Sequence, residues 1–186
     1  PCYLTRGELA GILSAPQEAP VTTDGAISAD EAARRSEQGM LPAWRLRTAM
    51  ACDLVGDLTW ADRRTGQHRP VDMAAHGDVV VARRDIGTSY HLSVVVDDAL
   101  DGVTLVTRGA DLADSTHVHR LLQALLDLPS PDYGHHDLVR DAAGNRLAKR
   151  HDAQSIRQLR DAGKRADDII ASLPNVADSL LFSGDF

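Results

Sequence analysis

Three groups of residues in the second half of the chain have the types and spacing to do chemistry. The first is Tyr90 with Asp97 and Asp98, a phenol and two carboxylates at helical spacing. The second is Arg108-Gly109-Ala110-Asp111, which follows an apolar run that reads as a strand. A guanidinium at the carboxyl end of a parallel strand sits where ligands bind in open α/β sheets, and it can clamp a carboxylate with two parallel hydrogen bonds. Structural pairing of Arg108 with Asp111 or Asp97 is the alternative, because most Arg–Asp neighbours serve packing. The third is Gly144-Asn145-Arg146-Leu147-Ala148-Lys149-Arg150, with three cations after a glycine turn. Such a loop suits a triphosphate whose charge shifts during transfer, although a solvated basic turn has the same composition.

The histidines offer little for a metal. His117 and His119, two apart on a helix, point to different faces, and His135-His136 lacks a third ligand at matching spacing. Tyr133–Arg165 holds eight Lys/Arg against four Asp, a local +4 in a chain of net charge −7. That polarity fits a patch that meets polyanions, whereas the overall charge argues against non-specific coating of nucleic acid.

These residues need elements to hold them. Thr5 with Glu8, and Ser28 with Glu31, mark two helix starts, the second covering Ala29–Gln38 and closed by Gly39. Residues 14–27 read as a surface loop. Pro42–Arg47 and Leu58–Trp60 read as strands, with a turn at Gly66. From Gly77 the texture changes. Val79–Ala82 reads as a buried strand, Thr88–Asp98 as a capped helix despite its valine triplet, and Gly102–Thr107 as a strand. A helix from Asp114 or Ser115 places Val118, Leu121, Leu122, Leu125 and Leu126 on one face and stops at Pro129. Asp137–Val139 reads as a strand, and 153–163 and Ala166–Leu173 as helices. Strand–helix alternation over 78–140 predicts an α/β fold with a parallel sheet.

Composition sets the outer limits. The 186 residues are 43% hydrophobic and 25% charged, which suits a globular domain and excludes bulk disorder, collagen and disulfide scaffolds. No apolar run approaches the roughly 20 residues needed to span a bilayer. Cys2 and Cys52 form no CxxC pair, which predicts reduced thiols in a cytoplasmic protein.

The order and spacing of Asp78-Val79-Val80-Val81, Arg84-Asp85, Ser89–Asp98, Gly102-Val103-Thr104 and Val106–Leu112, then Ser115-Thr116, Pro131-Asp132-Tyr133, His136 and Gly144–Arg150, resemble class I glutamyl-tRNA synthetases. The last piece resembles that family's Lys-Met-Ser-Lys-Ser loop: Lys149 falls on its second lysine, Arg146 replaces the first, and Ala148 replaces the serine. The resemblance implies the second half of a Rossmann-type synthetase sheet with an inserted α+β subdomain. It divides the chain into an acceptor-binding-like subdomain (1–76), the second half of the nucleotide-binding fold (77–152) and a short helical segment (153–186). It implies a reaction in which ATP, with Mg2+, and L-glutamate form glutamyl-adenylate, followed by transfer of the glutamyl group to a tRNA. By matched position Tyr90 and Arg108 would bind glutamate, and Lys149 and Arg146 would bind ATP, with Lys149 stabilising charge on the phosphates. Asp97, Asp98 and Asp111 are left with structural or supporting roles.

Only the residues 151–186 follow the loop, too few for the anticodon-binding helical domain of a full glutamyl-tRNA synthetase. That favours the short branch of the family, whose acceptor is the queuosine base of tRNA(Asp). A truncated glutamyl-tRNA synthetase and a non-catalytic tRNA-binding paralogue are the alternatives. Pro1-Cys2-Tyr3-Leu4-Thr5-Arg6 looks like the start of the branch's zinc-binding segment, with Leu4 in place of the second cysteine. Four ligands are needed for tetrahedral zinc, so the expectation is no zinc, with packing around Leu4 and Ile12 instead. The family's His-x-Gly-His motif does not occur here. The N-terminal half of the fold is therefore expected to be cut off or supplied by another chain, with the protein otherwise a monomer.

Overall fold

The computed structural model describes residues 1–14, 22–23, 25–74, 76–140 and 155–172. Two sheets organise them. A four-stranded sheet has the order β3-β2-β6-β5, with β2 (Thr59–Asp62), β5 (Leu105–Gly109) and β6 (Asp132–His136) parallel and β3 (Gln67–Pro70) antiparallel at its edge. A separate two-stranded antiparallel sheet pairs β1 (Trp44–Leu46) with β4 (Val79–Ala82). Helix α5 (Ser115–Leu125) packs on β2 and α4 (Tyr90–Leu100) on β4, while α3 (Thr48–Val55) and α4 both pack against α5. Ahead of them come α1 (Arg6–Ser14) and α2 (Ala29–Glu37), and after them α6 (Ile156–Asp161) and α7 (Ala166–Ser172).

The valine triplet of α4 is helical because its start is tied down and its middle is buried. Ser89 accepts a hydrogen bond from the Leu92 N–H, and Val95 is 1% exposed in the core. Each β-branched residue disfavours helix by only about half a kcal/mol, which a cap of about 1 kcal/mol and burial of Val95 outweigh. α5 follows its apolar spacing: Val118, Leu121 and Leu122 are all buried against Ala51, Met73 and Val95. The core therefore draws on α3 and the segment after β3 as well as on α4 and α5.

Three strand expectations change, and two elements were not foreseen. Val79–Ala82 forms β4 outside the parallel sheet, and all four residues are half-buried, since their partner is the short β1. The strand expected at Asp137–Val139 lies earlier, over Asp132–His136. There Tyr133, Gly134 and His135 are buried and pair in register with Val106, Thr107 and Arg108. Tertiary pairing overrides the poor strand propensity of Asp, Gly and His. The strand expected at Gly102–Thr107 starts and ends later, at Leu105–Gly109. Helix α3 and strand β3 carry no sequence signal that marked them. α3 has Arg47 at its cap position, a side chain with no acceptor, so it starts without a side-chain cap; the Thr48 hydroxyl donates to Gly77 O at 2.9 Å and ties the helix start to that segment.

Leu121, fully buried at the centre of this core, tests the packing account. Leu121→Ala should lose about 2–5 kcal/mol of stability. A urea or guanidinium midpoint unchanged by the substitution would contradict the burial.

Candidate active site

Arg108 stands next to last on β5, opposite His135 on β6, at the carboxyl end of the parallel strands. Three side chains take its guanidinium. Nη2 donates to Thr116 Oγ1 at 2.6 Å, Nη1 to His119 Nδ1 at 3.1 Å, and Nε to His135 Nε2 at 3.3 Å. The guanidinium carbon also lies 5.4 Å from the Tyr133 ring centre. Thr116 and His119, three apart, share one face of α5 and are essentially inaccessible. The Thr116 hydroxyl lies 3.1 Å from His135 Nε2, so the hydroxyl that accepts from arginine donates to imidazole.

The chemistry of arginine assigns the tautomers. Guanidinium only donates, so His119 Nδ1 must accept and its proton sits on Nε2. That Nε2–H then donates to His91 Nδ1 at 3.0 Å. A chain of hydrogen bonds thus runs from β5 through α5 to α4. At its end stands Tyr90, whose ring meets those of His91 and His119 edge-on at 5.4 and 5.7 Å. The Tyr90 ring remains open to solvent.

Every described partner of Arg108 is neutral. Burial, with help from the Arg108 charge, pushes His119 down to about 3 and His135 down to about 4. Burial lowers His91 as well. The expected pairing of Arg108 with Asp111 or Asp97 does not occur: no described carboxylate forms an ion pair with it. Asp98 feels the guanidinium at longer range, and burial raises its carboxyl while Arg108 pulls the other way. A guanidinium has five N–H groups. Three are used here, so one N–H on each terminal nitrogen has no described protein acceptor. Two N–H groups in that position suit a carboxylate, and no described carboxylate forms an ion pair with the guanidinium.

Gly109 has an ordinary φ of −64°, and a Cβ there would press on the movable ends of the Asp111 and Leu138 side chains, at 2.5 and 2.9 Å. Behind β6, Trp60 packs edge-on against Tyr133 and His135 at 5.8 and 5.7 Å and keeps water from that side.

Of the expected site residues, Tyr90 and Arg108 come together through His119. Arg146 and Lys149 lie outside the described residues. His117 and His119 diverge as their spacing predicts: His117 Nδ1 accepts from the Asp72 N–H at 2.9 Å, away from Arg108. The residues that sequence reasoning missed are Thr116, His119, His135 and His91. The i, i+3 spacing of Thr116 and His119 at the start of a helix just after Arg108 was the available signal.

Two solved glutamate–tRNA ligases share the fold. The one from Elizabethkingia meningosepticum, solved in complex with its amino acid, has a TM-score of 0.58 and 20% identity, covering 80% of this chain and 31% of that one. The one from Elizabethkingia anophelis has a TM-score of 0.59 and 20% identity, covering 80% and 32%. Residues 6–175 match the family "tRNA synthetases class I (E and Q), catalytic domain", and the chain belongs to it. The glutamyl-Q tRNA(Asp) synthetase of Rhodobacter capsulatus is 46% identical over 177 residues, 90% of this chain and 64% of that protein. That of Nitratidesulfovibrio vulgaris is 38% identical over 182 residues, 95% of this chain and 55% of that protein. The chain thus spans between half and two thirds of the length of these relatives.

The buried neutral histidines make stability pH-dependent. The unfolded chain binds protons at His119 and His135 near pH 6.5, whereas the folded chain resists until about 3 and 4. Their contribution is therefore complete above pH 6.5 and is lost as pH falls, at up to about 1.4 kcal/mol per pH unit for each histidine. Between pH 6.5 and 5 ordinary carboxylates stay ionised, so a fall in the urea midpoint over that window belongs to histidine. His119→Gln should flatten it, and an equally steep fall in that variant would contradict the assignment.

Proposed function

We propose that the chain is the glutamate-recognising portion of an enzyme that activates L-glutamate with ATP and passes the glutamyl group to the queuosine base of tRNA(Asp). The supporting observation is the uncancelled charge of Arg108 beside Tyr90. One carboxylate of the amino acid would take the free N–H pair of Arg108, and the exposed phenol of Tyr90 would line the same opening. Neutral partners matter here: a carboxylate partner would offset the charge, and a protonated histidine would repel the guanidinium.

In the first step a carboxylate oxygen of glutamate attacks the α-phosphorus of ATP and pyrophosphate leaves. In the second, a nucleophile of the acceptor attacks the acyl carbon and AMP leaves. Lys149 would stabilise the charge that builds on the phosphates, with Arg146 beside it in the same loop. Mg2+ would enter with the triphosphate. The amino-terminal half of the nucleotide-binding fold, carrying the His-x-Gly-His motif, would come from a further segment or a second chain. Residues 1–76 would serve as the acceptor-binding subdomain, 77–152 as the nucleotide-binding half, and 153–186 as a helical appendage. The working enzyme would be monomeric and cytoplasmic; among the described residues no helix is long and apolar enough to cross a membrane.

The zinc-binding segment of the resemblance does not fit the donors present. Cys2 is a free thiol held by a backbone bridge to Ala43, and Leu4 is a buried aliphatic where a second thiolate would be needed. We therefore propose that packing around Leu4 and Ile12 takes the place of zinc.

Glutamate-dependent exchange of pyrophosphate into ATP, measured on the full-length protein, tests the reading. Arg108→Gln should abolish exchange by removing glutamate affinity. Lys149→Ala should remove about 3–4 kcal/mol of transition-state stabilisation, a loss of two to three orders of magnitude in rate. Near wild-type exchange in either variant would contradict the assignment. Mass spectrometry of the RNA product separates the acceptors: glutamyl-queuosine in tRNA(Asp) is expected, and ester formation on tRNA(Glu) instead would identify a glutamyl-tRNA synthetase.

A further inference from the structure

A second concentration of guanidinium lies away from the Arg108 site. A pocket of about 250 Å3 is bounded by Arg6 from α1, Arg45 from β1, and Arg83 and Arg84 from the turn after β4. Leu4, Leu9, Ala43 and Val80 form an apolar floor. None of the residues that hold Arg108 lines it. Only Asp85 opposes the four cations, and it is held by Arg83 at 2.6 Å. Arg45 and Arg84 bond only to backbone carbonyls, through Arg45 Nη1 to Asp78 O at 2.7 Å and Arg84 Nη2 to Leu4 O at 3.2 Å. The Nε of each is buried without a described acceptor. The nearby Glu8 carboxylate is already taken by Arg35.

Three excess positive charges in a pocket of a chain with net charge −7 are a specific arrangement. The arginines converge from three elements far apart in sequence, unlike the run of one solvated helix face. Burying donors without acceptors is costly, and the oxyanion of a phosphate relieves it. The apolar floor next to the guanidinium forks suits a group with an apolar body joined to an anion.

We propose that Arg6, Arg45 and Arg84 form a phosphate-binding pocket for the backbone of single-stranded RNA, with the adjoining sugar or base on the floor of Leu4, Leu9 and Val80. Planar guanidinium groups match phosphate geometry and resist losing their charge. The choice of RNA as the source of the phosphate rests on the tRNA substrate proposed above; the anion pocket itself does not.

Fluorescence anisotropy of a labelled single-stranded RNA hexamer, titrated with the full-length protein over a range of salt, tests it. Arg6→Gln and Arg84→Lys should separately weaken binding, the first by about tenfold, with the salt slope reduced by about one phosphate. Arg6 makes no described hydrogen bond, and a urea midpoint of Arg6→Gln equal to wild type checks that the fold is retained. Arg64→Gln, which removes a cation paired with Asp137 outside the pocket, should bind like wild type. AMP should displace the hexamer where adenosine does not. Wild-type affinity in Arg6→Gln, an equal loss in Arg64→Gln, or equal displacement by adenosine or by a polyglutamate peptide would overturn the proposal. Glutamate-dependent exchange is read separately. Its failure with Arg6-dependent RNA binding intact would remove the synthetase reading alone, and the reverse pattern would remove the pocket alone.

Discussion

One guanidinium whose described acceptors are all neutral is the constraint around which this fold is organised. Arg108 needs partners that fix its direction without cancelling its charge. Carboxylates would fix it more strongly and silence it. Threonine and unprotonated histidine fix it and leave it available, and burial is what keeps the histidines unprotonated. The same burial excludes water from the back of the site. The electrostatics and the packing are therefore a single arrangement: loosening the core around α5 would let His119 charge and push the guanidinium away.

The rest of the fold serves that arrangement. Parallel pairing of β5 with β6 sets Arg108 opposite His135. The core face of α5, with Val118, Leu121 and Leu122, fixes the rotation of the helix and so aims Thr116 and His119 at the strand. His119 also reaches α4, so the element that carries Tyr90 is tied to the one that carries Arg108.

Much of this was legible in the residues, for reasons of local physics. The spacing of α5, the cap at Ser89 and the position of Arg108 at a strand end all express local rules. The parts that were not legible depend on partners distant in sequence. β6 is built from Asp, Tyr, Gly and two His, and becomes a strand only because β5 and β2 lie on either side. α3 has an arginine where a cap would stand, and its first threonine instead bonds to a carbonyl 29 residues later. The histidines invited a test as metal ligands, since nothing local shows that a distant arginine needs a neutral acceptor. The lysine and arginine of the cationic loop lie outside the described residues, and their place at the site rests on matched position alone.

The most direct test of the central claim is an NMR titration of the full-length protein with L-glutamate, following the Arg108 Nε resonance and the ring nitrogens of His119. The account predicts a saturable shift at Arg108, accompanied by a His119 ring that stays neutral and protonated on Nε2 throughout. Glutamate binding that leaves the Arg108 resonance unmoved, or a His119 that is charged at neutral pH in the free protein, would contradict it.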